Sequence, residues 1–540
     1  MNAVLRWLDR NVFELGRELR LDYLPPLMVY VAAGISGLTG IVGTFFVKEY
    51  LGLSAEFLAA LGFWAGIPWA LKMPVGHLVD LIWRRKSLLV YLGAALVALS
   101  LLIMYALIAH TASMRSLLPV EHWFVISALL APVGYVVQDV VADAMTVEAV
   151  PQVDERGQAF DAGTRKLMHT TMQTLGRVAI IGGSILVALA NVWLFRDVET
   201  MSVQVKADTY ALIYLLALGI PACSVIGTVL ATFVHWRRGR RLAAEGFTAA
   251  EVDRMLAVRT ELTHPNWWIL GGSVVFVAIT LSVGLADLRY GQELVFAGSM
   301  TVVLFLMWRL LGALGPEGRR TLIGTAVVIF VFRAMPGPGA GATWWMIDEL
   351  RFDQSFLAKL SLIAGVLTLT GMFIFRRFMA ERSIAYVIGF LTVAGTFLTL
   401  PIIGMYYGLH EWTARITGGI VDSRTIALID TALESPLGQI AMIPMLAWIA
   451  NSAPANLKAT FFAVMASFTN LALSASQLGT KYLNRLFTVT RELRDPVTQA
   501  TSAPADYGEL GWLLIAATVI GFALPMLAIL AVRVFRWRTA

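Results

Sequence analysis

Apolar residues run along the chain in long blocks, broken by short charged or turn-rich stretches, and the blocks recur near the ~20 residues with which a helix crosses a bilayer. They fall at 25–46, 57–79, 87–110, 123–148, 168–194 and 210–234, then at 267–285 and 294–314, and finally at 321–342, 357–375, 384–408, 425–450, 459–484 and 508–532. The stretch HWRRGRRLAAEGFTAAEVDRMLAVRTELTHPN separates the first six from the rest. No segment alternates over ten residues as the strands of a membrane barrel do. The pattern predicts an all-α polytopic membrane protein of about fourteen transmembrane helices, grouped six, two and six. Its divisions are 1–24, an amphipathic helix on the cytosolic surface; 25–234, a six-helix bundle; 235–266, a cytosolic loop; 267–314, two additional helices; and 315–540, a second six-helix bundle.

Composition agrees: 58% of residues are hydrophobic and 14% charged, where soluble chains carry about a quarter charged residues. Mean hydropathy is +0.72. The N-terminus, MNAVLRWLDRNVFELGRELRLDYLPP, lacks the pattern of a cleavable signal. More than twice as many Lys and Arg residues fall in the loops on the N-terminal side as in those opposite, which places both termini in the cytosol of an inner-membrane protein. The net charge of +6 then follows from topology and implies no nucleic-acid partner. Cys223 is the one cysteine and the seven histidines show no ligand spacing, so neither metal nor cofactor is expected. A Gly-rich phosphate loop with its Lys is missing, which disfavours ATP-driven pumping.

An internal repeat supports the two-bundle division. FFVKEYLGLSAEFLAAL at 45–61 aligns without gaps to WWMIDELRFDQSFLAKL at 344–360, pairing Leu51 with Leu350, Phe57 with Phe356, Leu58 with Leu357, Ala59 with Ala358 and Leu61 with Leu360. Each segment links the first helix of its half to the second. Two six-helix halves in parallel repeat are the plan of the major facilitator fold, in which substrate sits between halves that rock.

Several charged residues fall inside these blocks, where an ion costs about 2.5–3.5 kcal/mol and must face a cavity or a partner. GYVVQDVVADAMTVE carries Asp139 and Asp143 one helical turn apart, with Glu148 beyond. At ~1.5 Å per residue, Asp139 and Asp143 lie toward the cytosolic end of their span, and Lys72 reaches the depth of Asp139. GHLVDLIWRRK supplies Gly76, Asp80, Arg84 and Arg85 at the cytosolic turn after the second helix. Lys72, Gly76, Asp80, Arg84, Arg85, Asp139, Asp143 and Glu148 are therefore the expected coupling and gating group, with Gly76 permitting close helix approach. Arg177, Arg333 and Glu434 fall nearer the midplane; with Gln439 they form the expected substrate site, the arginines facing an anionic group. PGPGAGA at 336–342 either breaks its helix and frees backbone groups or merely kinks it. Trp344 and Trp345, at a predicted membrane edge, are expected as interfacial anchors.

The chain resembles the folate-biopterin transporters of the major facilitator superfamily. The likeness is carried by FFVKEYLGLSAEFLAALGFWAGIPWALKMPVGHLVD, QDVVADAMTVE, FRAMPGPGAGATWWMIDELRFDQSFLAKL and ESPLGQIAMIPMLAWIANSAPANLKATFFAVMASFTN. It implies a secondary active transporter and not an enzyme, working as a monomer by alternating access on a small polar or anionic metabolite of folate or pterin type. The coupling ion would be H⁺ or Na⁺. Departures from that family are Met73 where a Pro is expected, GPG at 337–339 and the two middle helices, while Trp83 replaces the second Gly of the major facilitator loop pattern after the second helix. Muropeptide permeases share the acid-bearing fourth helix and the helix count, and bacteriochlorophyll-delivery proteins share the scaffold; these are the competing readings.

Overall fold

The structure is a computed structural model. It describes the chain except residues 1–18, 51–52, 71, 151–157, 159, 257–264, 266, 286–287, 289, 313, 376–377, 379–381, 439, 442–457, 495–500 and 540. The expected amphipathic N-terminal helix lies almost wholly outside the described residues; what is described of 1–24 ends in a single turn of 3-10 helix, Leu21–Tyr23.

In the first half, α1 (Leu24–Ile35) and α2 (Gly40–Tyr50) are joined by a 3-10 turn, Ser36–Thr39. There follow α3 (Ala55–Ala70), α4 (Lys72–Leu81), α5 (Ser87–Ala109), α6 (Val120–Ala149), α7 (Ala162–Leu194), α8 (Val203–Leu216) and α9 (Gly219–Ala244). The middle pair is α10 (Trp267–Leu285) and α11 (Gly291–Leu311). The second half comprises α12 (Pro316–Arg333), α13 (Ala340–Asp348), α14 (Gln354–Ile374), α15 (Ile384–Tyr406), α16 (Ser423–Glu434), α17 (Lys458–Leu486) and α18 (Leu510–Val534). Ten described segments are long and apolar enough to cross a membrane, against the fourteen expected. Helices such as α12, which carries Glu317, Arg319, Arg320 and Arg333, are too charged to count among them.

The helices are greasy outside as well as inside. On α5, Leu88, Leu92, Leu99 and Leu102 are exposed while Val90, Ala94, Val97, Leu101 and Met104 are buried. Two apolar stripes on one helix suit packing on one side and lipid on the other, since hydrocarbon chains do not penalise exposed leucine. Small residues set the closest helix contacts. A Cβ on Gly34 of α1 would strike the Ile180 carbonyl and the Cα of Gly183 on α7, so these backbones touch because neither residue has a side chain.

The internal repeat is visible as matched geometry. Ser54 Oγ accepts from Phe57 N at 3.0 Å to cap α3, and its repeat partner Asp353 accepts from Phe356 N at 2.7 Å to cap α14. The first helix of each half is also interrupted at equivalent positions, Ser36–Thr39 and 334–339. The second interruption is a full break, with Gly339 at φ 74°, a conformation that favours glycine. Helix α17 takes up the freed backbone groups. Ser476 donates to the Met335 carbonyl at 2.6 Å, Asn484 to the Pro338 carbonyl at 3.2 Å, and Thr480 accepts from Gly337 N at 3.0 Å. PGPGAGA thus breaks its helix, and its polar backbone is satisfied by a neighbour, as low-dielectric surroundings require.

Trp344 and Trp345 are not interfacial anchors. They are 2% and 5% exposed and pack with Ala55 of the first half and with Phe352, Phe356 and Leu513 of the second. Hydropathy placed them at an edge, but the break at 334–339 turns α13 inward, so their rings fill the join between the halves. The join continues where Gln354 donates to Tyr210 at 2.6 Å. This closed end lies opposite the C-terminus and is called the distal end below.

The middle pair docks along the seam between α3 and α17. Gln292 donates to the Ala60 carbonyl of α3 at 3.2 Å, while Lys481 of α17 reaches Gln292 Oε1 at 3.0 Å and Glu293 Oε1 at 3.2 Å. Tyr482 also donates to Glu293 Oε1, at 2.6 Å. Below these polar contacts Phe276, Val295, Val303 and Leu306 share one buried cluster with Phe63 and Ile67 of α3 and with Val464, Met465 and Phe468 of α17. The loop between α17 and α18 carries the only strands among the described residues, β1 (Leu493–Arg494) paired antiparallel with β2 (Thr501–Ala503).

Candidate functional site

Lys72, Asp139 and Asp143 meet inside the first half. Lys72 lies on α4. Nearby, Asn470 of α17 donates to the Trp69 carbonyl of α3 at 3.1 Å across the two halves. On α6, Asp139 and Asp143 are four residues apart and so share a face. The rotation of that face is fixed by the residue before: Gln138 is buried on the other side and accepts from Ser224 of α9 at 2.7 Å.

Lys72 Nζ lies 2.6 Å from Asp139 Oδ2 and 2.8 Å from Asp143 Oδ2. The second oxygen of Asp143 accepts from the Tyr30 hydroxyl at 2.9 Å. Two carboxylates and one ammonium leave one negative charge in excess. Arg177 of α7 lies near enough to act electrostatically on both Asp139 and Tyr30, offsetting that charge at longer range. It makes no hydrogen bond or ion pair with a described residue. Arg177 stands near the middle of α7, Ala162–Leu194.

The remaining expected residues do not converge on that cluster. Arg333, the last residue of α12, donates through Nε to the Thr469 carbonyl of α17 at 3.1 Å. Glu434 is exposed at the end of α16, one turn from Asp430. Gln439 lies outside the described residues, as do the side chains of Asp80, Arg84 and Glu148. Arg85 is exposed, and a Cβ on Gly76 would meet Val140 only at ordinary contact, 3.8 Å, so close approach does not require glycine there. Tyr30 is the member that sequence reading missed; its signal was a phenol about one turn past Pro26 in an otherwise aliphatic helix.

Two helical halves with charged groups paired inside membrane-crossing segments define a multi-pass membrane transporter, a protein that moves a solute and makes no chemical change to it. Residues 33–536 match the BT1 family, and the chain belongs to that family. It is 23% identical over 471 residues to a folate-biopterin transporter of Synechocystis, covering 86% of this chain and 75% of that protein. It is 27% identical over 167 residues to putative folate transporter 2 of Plasmodium berghei, covering 30% of this chain and 34% of that one. Among solved structures, a POT family transporter in complex with a thioalcohol-conjugated peptide superimposes with TM-score 0.57 at 12% identity, covering 96% of both chains. Another in complex with 5-aminolevulinic acid gives TM-score 0.57 at 12% identity over 95% of both. At that identity the likeness concerns the fold alone.

Proposed function

We propose that this protein is a secondary active transporter of the inner membrane, both termini cytosolic, carrying a small organic anion of folate or pterin type by alternating access between bundles 25–234 and 315–540. The supporting observation is the charge arrangement around Lys72: two carboxylates on one ammonium, with Arg177 close and making no hydrogen bond or ion pair with a described residue. A proton added to Asp143 or Asp139 removes the excess negative charge. Arg177 is then uncompensated in a low-dielectric setting and favours an anion beside it. Proton and anionic substrate would so bind together, which is the requirement for proton-coupled symport. The names of the Synechocystis and Plasmodium relatives are what suggest folates among organic anions. Arg333 and Glu434 are proposed to complete the substrate site from the second half, and Lys72 with the two acids to gate it.

Purified protein in liposomes tests this. An inward proton gradient should drive accumulation of labelled folate or of a simpler pterin, and Arg177→Gln should abolish it with the protein still folded. Accumulation that follows a sodium gradient at constant pH would replace the proton. Retained transport in Arg177→Gln would remove that residue from the site.

A further inference from the structure

Arg491 is the least expected residue of the distal end. It follows α17 by five residues, is 4% exposed, and its Nε and both terminal nitrogens are buried with no hydrogen-bond partner among the described residues. Its guanidinium lies over the Trp344 ring, 4.9 Å from the centroid. A buried guanidinium offers five N–H groups, and each left unmade forfeits hydration with nothing in return. One indole face satisfies the plane of the group and none of its edges.

The described surroundings do not supply those acceptors. Tyr507 and Asp348 act on Arg491 electrostatically, and Asp348 Oδ2 takes the Tyr507 hydroxyl at 2.5 Å. Tyr507 is itself fixed, its carbonyl accepting from Tyr406 at 2.8 Å. Burial pushes the Arg491 guanidinium down to about 10, although Tyr507 and Asp348 act in the opposite direction. The location is the join between the halves: Trp344 packs with Ala55 of α3, and β1, two residues beyond Arg491, rests on α2. An opening of the distal end that moved these contacts apart would uncover the guanidinium edge.

We propose that Arg491, backed by Trp344, is a binding site for the carboxylate of an organic anion at the distal end of the transport path. The planar fork matches a carboxylate through two parallel N–H···O bonds, and the indole holds the fork flat. This deepens the function proposed above by giving the anion a first docking point, separate from Arg177. It explains why an arginine is kept inside an otherwise apolar join: the site is filled and emptied during the cycle.

Formate is a carboxylate small enough to enter the closed form, and fluoride at equal ionic strength is a control that cannot bridge the fork. Full-length protein in detergent should melt about 2 °C higher in formate than in fluoride at ten times the dissociation constant. Arg177→Gln should keep that gain. Arg491→Met should lose it, and should melt above the parent in fluoride because a buried unpartnered cation has gone. Arg491→Lys, which keeps the charge and loses the fork, should show less than half the gain and covers the case in which the methionine variant fails to fold. A gain of full size in Arg491→Met or Arg491→Lys, or no gain in the parent, overturns the proposal. Loss of the gain in Arg177→Gln alone would also overturn it while leaving the central anion site standing.

Discussion

Lys72 holds Asp139 and Asp143 at once, with Nζ 2.6 Å and 2.8 Å from their carboxylates, and so ties α4 to α6 at one end of the first half. Removing one partner of a buried ion group leaves charge without compensation. Lys72→Met should destabilise the protein by about 3–5 kcal/mol, and adding Asp139→Asn should restore part of that loss. Unfolding in detergent mixtures measures both; equal stability of Lys72→Met and the parent would show the pair to be idle.

Asp143 differs from its neighbour in having both oxygens engaged, by Tyr30 and by Lys72. If its proton couples transport, Asp143→Asn should lose gradient-driven accumulation yet keep exchange of labelled for unlabelled substrate across liposomes at equal pH. Loss of both activities together would assign Asp143 to binding instead of coupling.

The contact of Glu293 with Lys481 and Tyr482 fastens the middle pair to α17. A double-mutant cycle of Glu293→Gln with Lys481→Met should show a coupling energy of about 1–3 kcal/mol, since the groups are partly buried. Coupling near zero would mean that the pair is held by its apolar cluster alone.

Gly34 and Gly183 bring α1 and α7 into backbone contact. Gly34→Ala places a methyl where a carbonyl and a Cα already stand, and should cost about 1–3 kcal/mol or more by overpacking. Melting temperature reads this directly. A silent substitution would show that the two helices separate without loss.

Asp422 caps α16, accepting from Thr425 N at 2.8 Å. Burial is the largest single influence and raises its carboxyl, but the hydrogen bonds from Thr425, the one from its own backbone and the Arg424 charge together outweigh it and hold the carboxyl below the usual carboxylate range. A depressed folded-state value contributes stability above the unfolded value of about 3.9, and that stability is lost as pH falls through the lower folded value. Asp422→Ala should therefore cost about 1 kcal/mol at neutral pH, with the gap to the parent closing below about pH 4. A gap that persists at low pH would point to a cause other than the charged cap.

Much of this was legible in the chain. The four-residue spacing of Asp139 and Asp143 fixes a shared helix face, and depth counting brought Lys72 to them, because both inferences rest on the regular rise of a helix. The loop between the repeats was legible too, since Ser54 and Asp353 are cap residues at matched positions. What failed were inferences that took the edge of an apolar block as the edge of the membrane. Trp344 and Trp345 are buried because a glycine-rich break redirects α13. The seat of the middle pair depends on side-by-side packing that no local pattern encodes. Arg491 read as one more loop cation; only burial against Trp344 sets it apart.

The seat of α10 and α11 has a mechanical consequence. By gripping Ala60 on one half and Lys481 on the other, the pair ties the two bundles together along one lateral edge, while at the opposite edge, where α7 meets α14, the described residues form no such strap. Motion between the bundles is then lopsided, a book opening about its spine. Spin labels across α7 and α14 should separate further than labels across α3 and α17 during turnover, and the passage should widen first on the unstrapped side.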